Sequence, residues 1–250
     1  MQKAKTLTEA HFAHRGVKII ASIPCHNTEG TIKRIVLETK TFVNKVFVVD
    51  DGSTDLTAKE AIAGGATVMS HFRNRGYGEA IKTCFSAARD DHGDILVIID
   101  GDGQHNPSDI PSLLAPILNQ DADVVIGSRL LDFEGNIPKY RKLGIDVITG
   151  LWNFCSQVKV SDAQSGFRAY NLNAIKDLNI SENGMSASIE ILEKIRQNKC
   201  RIKEVSISCS YKDNNSSLSL KAIRHGASVA ISVVKIRLKK DVVKNTPNKM

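Results

Sequence analysis

Residues Asp94–His105 read DILVIIDGDGQH, and the fold follows from how that stretch is built. Ile95–Ile99 is apolar without alternation and is bounded by acids and glycines. A strand of that kind is covered on both faces, as the central parallel strands of α/β sheets are. Asp100, Asp102 and Gln104 follow directly past its carboxyl end, where open α/β sheets bind their ligands. Two alternate carboxylates and an amide oxygen are hard ligands, suited to Mg²⁺ or Mn²⁺ rather than to a thiol-seeking metal. The plainer reading is an acidic turn in which Gly101 and Gly103 only supply backbone freedom. The place of the turn at the end of so apolar a strand favours the ligand site.

Working outward toward the amino end, Val17–Ile23 (VKIIASI) reads as the first strand. The loop Pro24-Cys25-His26-Asn27-Thr28-Glu29-Gly30 and an amphipathic helix near Thr31–Thr39 follow it. Lys45–Val49 is a second buried strand that runs into Asp50-Asp51-Gly52-Ser53-Thr54-Asp55. Ser53 and Asp55 are natural N-caps for a helix through about Ile62. Ala66–Ser70 is a short third strand leading to Phe72-Arg73-Asn74-Arg75-Gly76-Tyr77-Gly78 and a helix through about Arg89. Toward the carboxyl end a helix begins near Pro107, proline being suited to a first turn. Asp123–Ile126 is another buried strand, ending in Gly127-Ser128-Arg129. This alternation predicts a doubly wound, mostly parallel sheet with helices on both faces.

The second half is less regular. Residues 130–139 read as a loop, and Tyr140–Val158 has Leu143, Val147, Leu151 and Phe154 at helical spacing, with Trp152 on an apolar helix face. Asp162–Arg168 is a polar loop entering a short strand at Phe167–Tyr170. Ala187–Asn198 is a helix, Ile202–Ile207 a strand and Lys212–Ser219 a polar loop. Leu220–Lys240 is a basic amphipathic helix, and Asp241–Met250 has the composition of a disordered tail. The expected division is a polar segment 1–16, one domain over 17–211 and an appendage over 212–250.

The chain has 250 residues, enough for one α/β domain with a sizeable core. A formal charge of +7 points to anionic partners: nucleotides, phosphates, nucleic acid or an acidic membrane surface. Aromatic residues are only 5%, and no basic–aromatic platform is present, which argues against nucleic acid. Five cysteines stand singly with no CxxC pair, so neither a zinc site nor a disulfide framework is expected, and a reducing compartment is. The first residues lack the apolar core of a signal peptide. No apolar stretch approaches the roughly 18 residues of a spanning helix. A soluble or membrane-peripheral protein is expected, with the basic helix over 220–240 either packed on the domain or lying on anionic headgroups.

Asp50 and Asp51 close the second strand on the same rim as Asp100, where their carboxylates can accept from a nucleobase or ribose. Gly76-x-Gly78 before a helix resembles half of a dinucleotide fingerprint. Ile81 holds the third glycine position and the segment follows the third strand, so a nicotinamide site is a poor reading, whereas a loop that lets backbone approach a nucleotide stays open. Arg129, Arg141, Arg168 and Lys212 stand at loops or element ends, where a guanidinium fork suits phosphate oxygens. Arg129 and Arg168 lead this group. His105 adjoins the acidic turn, as a ligand contact or a cap.

PCHNTEG, VVDDGSTD, NRGYGEA, DGDGQH, GSR and SGFR, in this order, resemble the family 2 glycosyltransferases of GT-A fold. Within them the likeness is to dolichyl-phosphate mannose synthases and related polyprenyl-phosphate hexosyltransferases, over about Val17 to Tyr211. The resemblance implies a GT-A catalytic domain across 17–211. Pro24, Asn27, Glu29, Asp50, Asp51, Gly76, Gly78 and Asp100 would bind the nucleotide sugar. Asp100, Asp102 and Gln104 would hold Mg²⁺ or Mn²⁺ on its diphosphate. Asp102, with Arg129, Arg141 and Arg168 toward the sugar or the acceptor phosphate, would carry the catalytic roles. Thr28 stands where the family often has a second acid. Some relatives add membrane-spanning helices, which this sequence lacks, leaving room for a membrane partner protein.

The implied reaction is inverting transfer of a hexose from GDP-mannose, a UDP-hexose or a UDP-N-acetylhexosamine to polyprenyl (dolichyl) phosphate, on the cytoplasmic face of a membrane. Asp51 serves uracil or guanine equally, so both donors stay open. A family 2 transferase acting on a saccharide hydroxyl is the alternative, and would need a base such as Glu190 or Asp162. A nucleotidyltransferase and a catalytically silent nucleotide-binding scaffold are the readings from other classes. The first lacks a basic, glycine-rich loop after strand one, and the second is opposed by the intact DGDGQ.

Overall fold

The structure, a computed structural model, describes residues 16–131, 137–154, 156 and 158–210. Chain order gives β1 (Ile19–Cys25), α1 (Ile32–Thr39), β2 (Lys45–Asp50), α2 (Thr57–Ala63), β3 (Thr67–Ser70), α3 (Tyr77–Asp90) and β4 (Ile95–Ile98). A 3₁₀ turn at Pro107–Asp109 leads into α4 (Ile110–Leu118), followed by β5 (Val124–Ser128), α5 (Lys139–Asn153), β6 (Arg168–Asn171), α6 (Ala187–Gln197) and β7 (Ile202–Ser206). The segments before 16 and after 210, with the expected basic helix, tail and Lys212, lie outside the described residues.

The seven strands form one sheet in the order β3-β2-β1-β4-β6-β5-β7. All neighbours pair parallel except at β6, which is antiparallel to β4 and to β5. Composition marks Phe167–Tyr170 as a strand but carries no sign of its direction. The register supplies it: Arg168, the first residue of β6, pairs with Ile98, the last of β4, and with Ile126, past which β5 runs on to Ser128, and the partners' numbering descends from there along β6. The chain enters β6 from the carboxyl rim, so it runs backward between two parallel strands.

Both faces are covered at β1, β2, β4 and β5, which is why those strands are largely apolar, while the edge strands β3 and β7 keep polar residues. Ile19, Ala21, Ile23, Val46, Val48 and Val97 pack with Ile32, Ile35 and Val36 of α1 and Ile110, Leu113 and Leu114 of α4. Ile20, Phe47, Val49, Leu96 and Ile98 pack on the opposite face with Ile81, Cys84 and Phe85 of α3 and Ile191 and Ile195 of α6. Each such side chain contributes about 1.5–3 kcal/mol on burial.

Two expectations shift in detail. The first turn of α2 takes its side-chain oxygen from Asp55, whose Oδ1 accepts from the Thr57 N–H at 2.9 Å, while Ser53 Oγ instead accepts from the Asn27 N–H at 2.9 Å. The helix expected over 140–158 stops at Asn153, whose side chain bonds both the N–H and the carbonyl of Val160 and turns the chain back. That helix, α5, buries Ile148 and Trp152 against Ile126, Val160, Ala163, Ile189 and Leu192, and Ile145 is buried as well. Leu143, Val147, Leu151 and Phe154 face outward. Among the described residues no helix is long and apolar enough to cross a membrane.

Candidate active site

A cavity of about 500 Å³ opens at the carboxyl rim of the sheet. Its walls come from the loops after four successive strands: Pro24, Cys25, His26 and Thr28; Asp51; Asn74, Gly76, Tyr77 and Ala80; and Asp100, Gly101 and Asp102. Gly184 and Met185, ahead of α6, close the remaining side. Its size suits a small-molecule ligand. A second hollow of about 510 Å³ between α1 and α2, with Glu29, Lys33 and Arg34 on its walls, contains none of the acidic turn.

Asp51 organises one wall. Its Oδ1 accepts from His71 Nδ1 at 2.6 Å and from the Arg75 N–H at 2.9 Å, and its Oδ2 accepts from the Gly76 N–H at 2.8 Å. His71 is braced in turn by Thr83 Oγ1 at 3.0 Å. The buried carboxylate thus fastens both ends of loop 71–76, part of which faces the cavity. Nothing in the sequence pattern singles out His71, because its partner is twenty positions away. Asp50, by contrast, turns into its own loop, accepting from the Ser53 N–H at 3.0 Å and the Ser70 hydroxyl at 3.2 Å. Asn27 and Glu29 also act on backbone: Asn27 Oδ1 accepts from the Thr54 N–H and Glu29 Oε2 from the Leu56 N–H, each at 2.9 Å. They tie the first loop to the second, and Pro24 is the member of that group in the cavity wall.

Gly76 and Gly78 are required by close approach. Gly76 has φ +95°, and a Cβ there would stand 2.6 Å from the Asn183 carbonyl oxygen. A Cβ on Gly78 would stand 2.1 Å from the Glu182 oxygen, while its N–H donates to Asn183 O at 2.8 Å. The backbone they admit is the 182–183 segment that carries Gly184 and Met185 into the cavity wall. Met185 lies in a stretch with no sequence signal.

Glu190 holds that segment from beneath. Buried on α6, it accepts from the Ser181 N–H at 2.9 Å, the Ser181 hydroxyl at 2.6 Å and the Glu182 N–H at 2.8 Å, and pairs with Lys194 at 2.8 Å. Burial alone raises its carboxyl, but these partners outweigh burial and hold it below the ordinary glutamate range. A depressed carboxyl stabilises the fold above its unfolded-state value, and that contribution is lost as the pH falls through the folded-state value. Wild-type stability is therefore expected to fall more steeply than that of Glu190→Gln between roughly pH 5 and pH 3. Urea titrations at a series of pH values measure this, and parallel curves would contradict it.

The acidic turn supplies the cavity floor. The Asp100 carboxylate lies against Gly166, where a Cβ would come within 2.5 Å of Oδ2. His105, buried against the Phe167 ring at 5.4 Å, places Nε2 3.6 Å from Asp100 Oδ2. Asp102 is exposed and its Oδ1 accepts from the Gln104 N–H at 2.9 Å. Gln104 sits in the same turn but outside the cavity lining, its carbonyl accepting from the Ser210 N–H. Among the described residues no three His, Cys, Asp or Glu side chains cluster as a metal site. Two carboxylates open to one cavity nevertheless fit Mg²⁺ or Mn²⁺, which commonly take one or two from protein and the rest from phosphate and water. The neighbouring polar groups are neutral: burial, with Asp50 next, pushes the Cys25 thiol up to about 12, and burial, then Asp100, raises the Tyr77 phenol.

The arginines divide. Arg129 forks onto Asp162, Nε to Oδ2 at 2.6 Å and Nη2 to Oδ1 at 2.9 Å. Asp162 is 0% exposed, and its loop is pinned by Glu204 through the Ser161 and Asp162 N–H groups. Arg168 is 2% exposed and clamps Ala163 O at 2.8 Å to Ser188 O at 3.1 Å, so it braces the rim from within the sheet. Arg141 lies in the first turn of α5; its side chain lies outside what the structure describes.

A mostly parallel sheet with one reversed strand, a rim cavity and an acidic turn past β4 together define a glycosyltransferase of the GT-A fold. Residues 21–178 match the family described as glycosyl transferase family 2, and the chain belongs to that family. A UDP-N-acetylglucosamine–dolichyl-phosphate N-acetylglucosaminyltransferase of Methanococcus voltae is 31% identical over 213 residues, covering 76% of this chain and 84% of that one. A dolichol-phosphate mannosyltransferase of Pyrococcus furiosus is 27% identical over 195 residues, covering 73% and 54%. Among solved structures, Mycobacterium tuberculosis glucosyl-3-phosphoglycerate synthase with Mn²⁺, UDP and glucosyl-3-phosphoglycerate superposes with a TM-score of 0.70 at 22% identity, covering 94% of this chain and 83% of that one. At that identity the likeness concerns the fold.

Proposed function

We propose that the enzyme transfers a hexose from a nucleoside-diphosphate sugar to a polyprenyl phosphate such as dolichyl phosphate, with inversion at the anomeric carbon. One observation carries this reading. Asp162 and Glu190, the acids available as bases for a hydroxyl acceptor, are both buried and committed to Arg129 and Lys194. An acceptor that arrives ionised needs no base, and a phosphate monoester does so, its second pKa being about 6. The Methanococcus and Pyrococcus relatives, both named as dolichyl-phosphate transferases, support the same acceptor class.

In this reading the loop fastened by Asp51 seats the nucleoside, and Asp100 and Asp102 would hold a divalent ion. Such an ion would supply Lewis-acid neutralisation of the charge on the diphosphate. The neutral Cys25 and Tyr77 add no negative charge to that wall. Arg129, oriented by Asp162, and Arg141 at the start of α5 position the acceptor phosphate. One of its oxygens forms the bond to the anomeric carbon as the bond to the diphosphate breaks, giving polyprenyl-phosphate hexose and nucleoside diphosphate. The site of action is the cytoplasmic face of a membrane. Labelled GDP-mannose, UDP-hexoses and UDP-N-acetylhexosamines offered with polyprenyl phosphate are expected to send label from one nucleotide class into the lipid phase. Label passing to a saccharide hydroxyl and none to lipid would refute the acceptor.

A further inference from the structure

Helix α5 carries more apolar surface than the fold uses. Ile145, Ile148 and Trp152 are already buried, the last two in one cluster with Ile126, Ile189 and Leu192. Leu143, Val147, Leu151 and Phe154, spaced by four, four and three, form another, with exposures of 66%, 51%, 37% and 77%. A helix with apolar residues on two faces needs a second apolar environment, and a contiguous exposed apolar patch marks an interaction surface. Its amino end is basic. From 139 to 159 the sequence has four basic residues, Lys139, Arg141, Lys142 and Lys159, and one acid, Asp146. That acid is paired with Lys142 at 3.2 Å.

We infer that the outer face of α5 docks on an anionic lipid bilayer, its apolar row in the acyl boundary and its basic amino end on headgroups. The inference rests on the polyprenyl-phosphate reading, since such an acceptor keeps its phosphate at headgroup level. α5 begins with Lys139 and Arg141, and its Thr149 hydroxyl accepts from the Ala163 N–H at 3.1 Å, one residue from the Arg129–Asp162 pair. Docking through α5 therefore brings the acceptor side of the rim to the bilayer. Charge disfavours the other occupants. Two α5 helices packed parallel would set their basic amino ends together, and an antiparallel pair would leave those ends without an acidic partner, since the last turn holds no acid. Residues 211–250 carry nine basic residues against two acids, which repel the same end.

The test uses the full chain and the double variant Val147→Glu/Leu151→Glu, at two exposed positions. With vesicles of phosphatidylcholine and phosphatidylglycerol, the variant is expected to lose at least about tenfold in partitioning. Transfer to long-chain polyprenyl phosphate in those vesicles should fall alike, while UDP or GDP binding and transfer to a short, water-soluble prenyl phosphate hold. Equal partitioning of variant and wild type overturns the inference. So does a wild-type dimer that the variant dissociates without change in lipid binding. Lipid binding abolished by Lys235→Glu/Arg237→Glu but not by the α5 variant assigns docking to the last segment and overturns it as well. A wild type that binds vesicles through α5 yet glycosylates no prenyl phosphate supports the surface and refutes the acceptor.

Discussion

Asp102→Ala is expected to lower transfer by on the order of 10³-fold or more, because the proposed reaction loses a cavity carboxylate that would hold the divalent ion. Asp102 is exposed, so the fold should survive, with a melting temperature within a few degrees of wild type. Excess chelator applied to wild type should produce a loss of the same order, restored by Mg²⁺ or Mn²⁺. Full activity in the variant, or indifference to chelator, would remove the metal assignment from this turn. Asp100 is a less clean probe, since its carboxylate also fills the space above Gly166 and faces His105.

Asp51→Ala should raise the donor KM at least about tenfold, equivalent to about 1.4 kcal/mol. The physical cause is the loss of the acceptor shared by His71, Arg75 and Gly76, which leaves part-buried donors without it, at no more than about 1–3 kcal/mol each. A domain of this size loses roughly 2–4 °C of melting temperature per kcal/mol, so a measurable thermal shift should accompany the kinetic one. His71→Ala separates the two effects: it removes one donor but keeps the carboxylate on both backbone N–H groups, and should cost stability more than KM. An Asp51→Ala variant that binds UDP and GDP as wild type does would show that loop 71–76 plays no part in seating the nucleoside.

Where the sequence was legible, local chemistry decided the outcome. Ile95–Ile98 is too apolar to be anything but a covered strand, and the carboxylates that follow it have no room to be elsewhere than at its carboxyl end. The first four strands and the helices between them obey the same rule. The acids illustrate the limit. Asp50 and Asp51 are adjacent in sequence and equal in chemistry, yet one closes its own turn and the other holds the loop after β3. The reason is which side of the rim each carboxylate faces, a matter of strand pleat and neighbour. The same holds for Gly76 and Gly78, which read as a loop letting backbone approach a nucleotide: Gly76 lines the cavity, and both also admit the backbone of residues 182–183. Arg168 reads as a loop cation suited to phosphate, and the structure places it as the buried first residue of β6, between β4 and β5.

By itself, then, the sequence determined the α/β class, the parallel strands up to Asp100, the acidic turn and its kinship with family 2 glycosyltransferases. Those rest on apolar runs, caps and short motifs, which act over a few residues. Only the tertiary structure decided the reversal of β6, the pairing of Asp162 with Arg129 and of Glu190 with Lys194 and loop 181–182, and which apolar face of α5 is core. Each of these depends on a partner far along the chain or on a choice between two equally apolar faces. Burial and distance make that choice, and residue type does not record it.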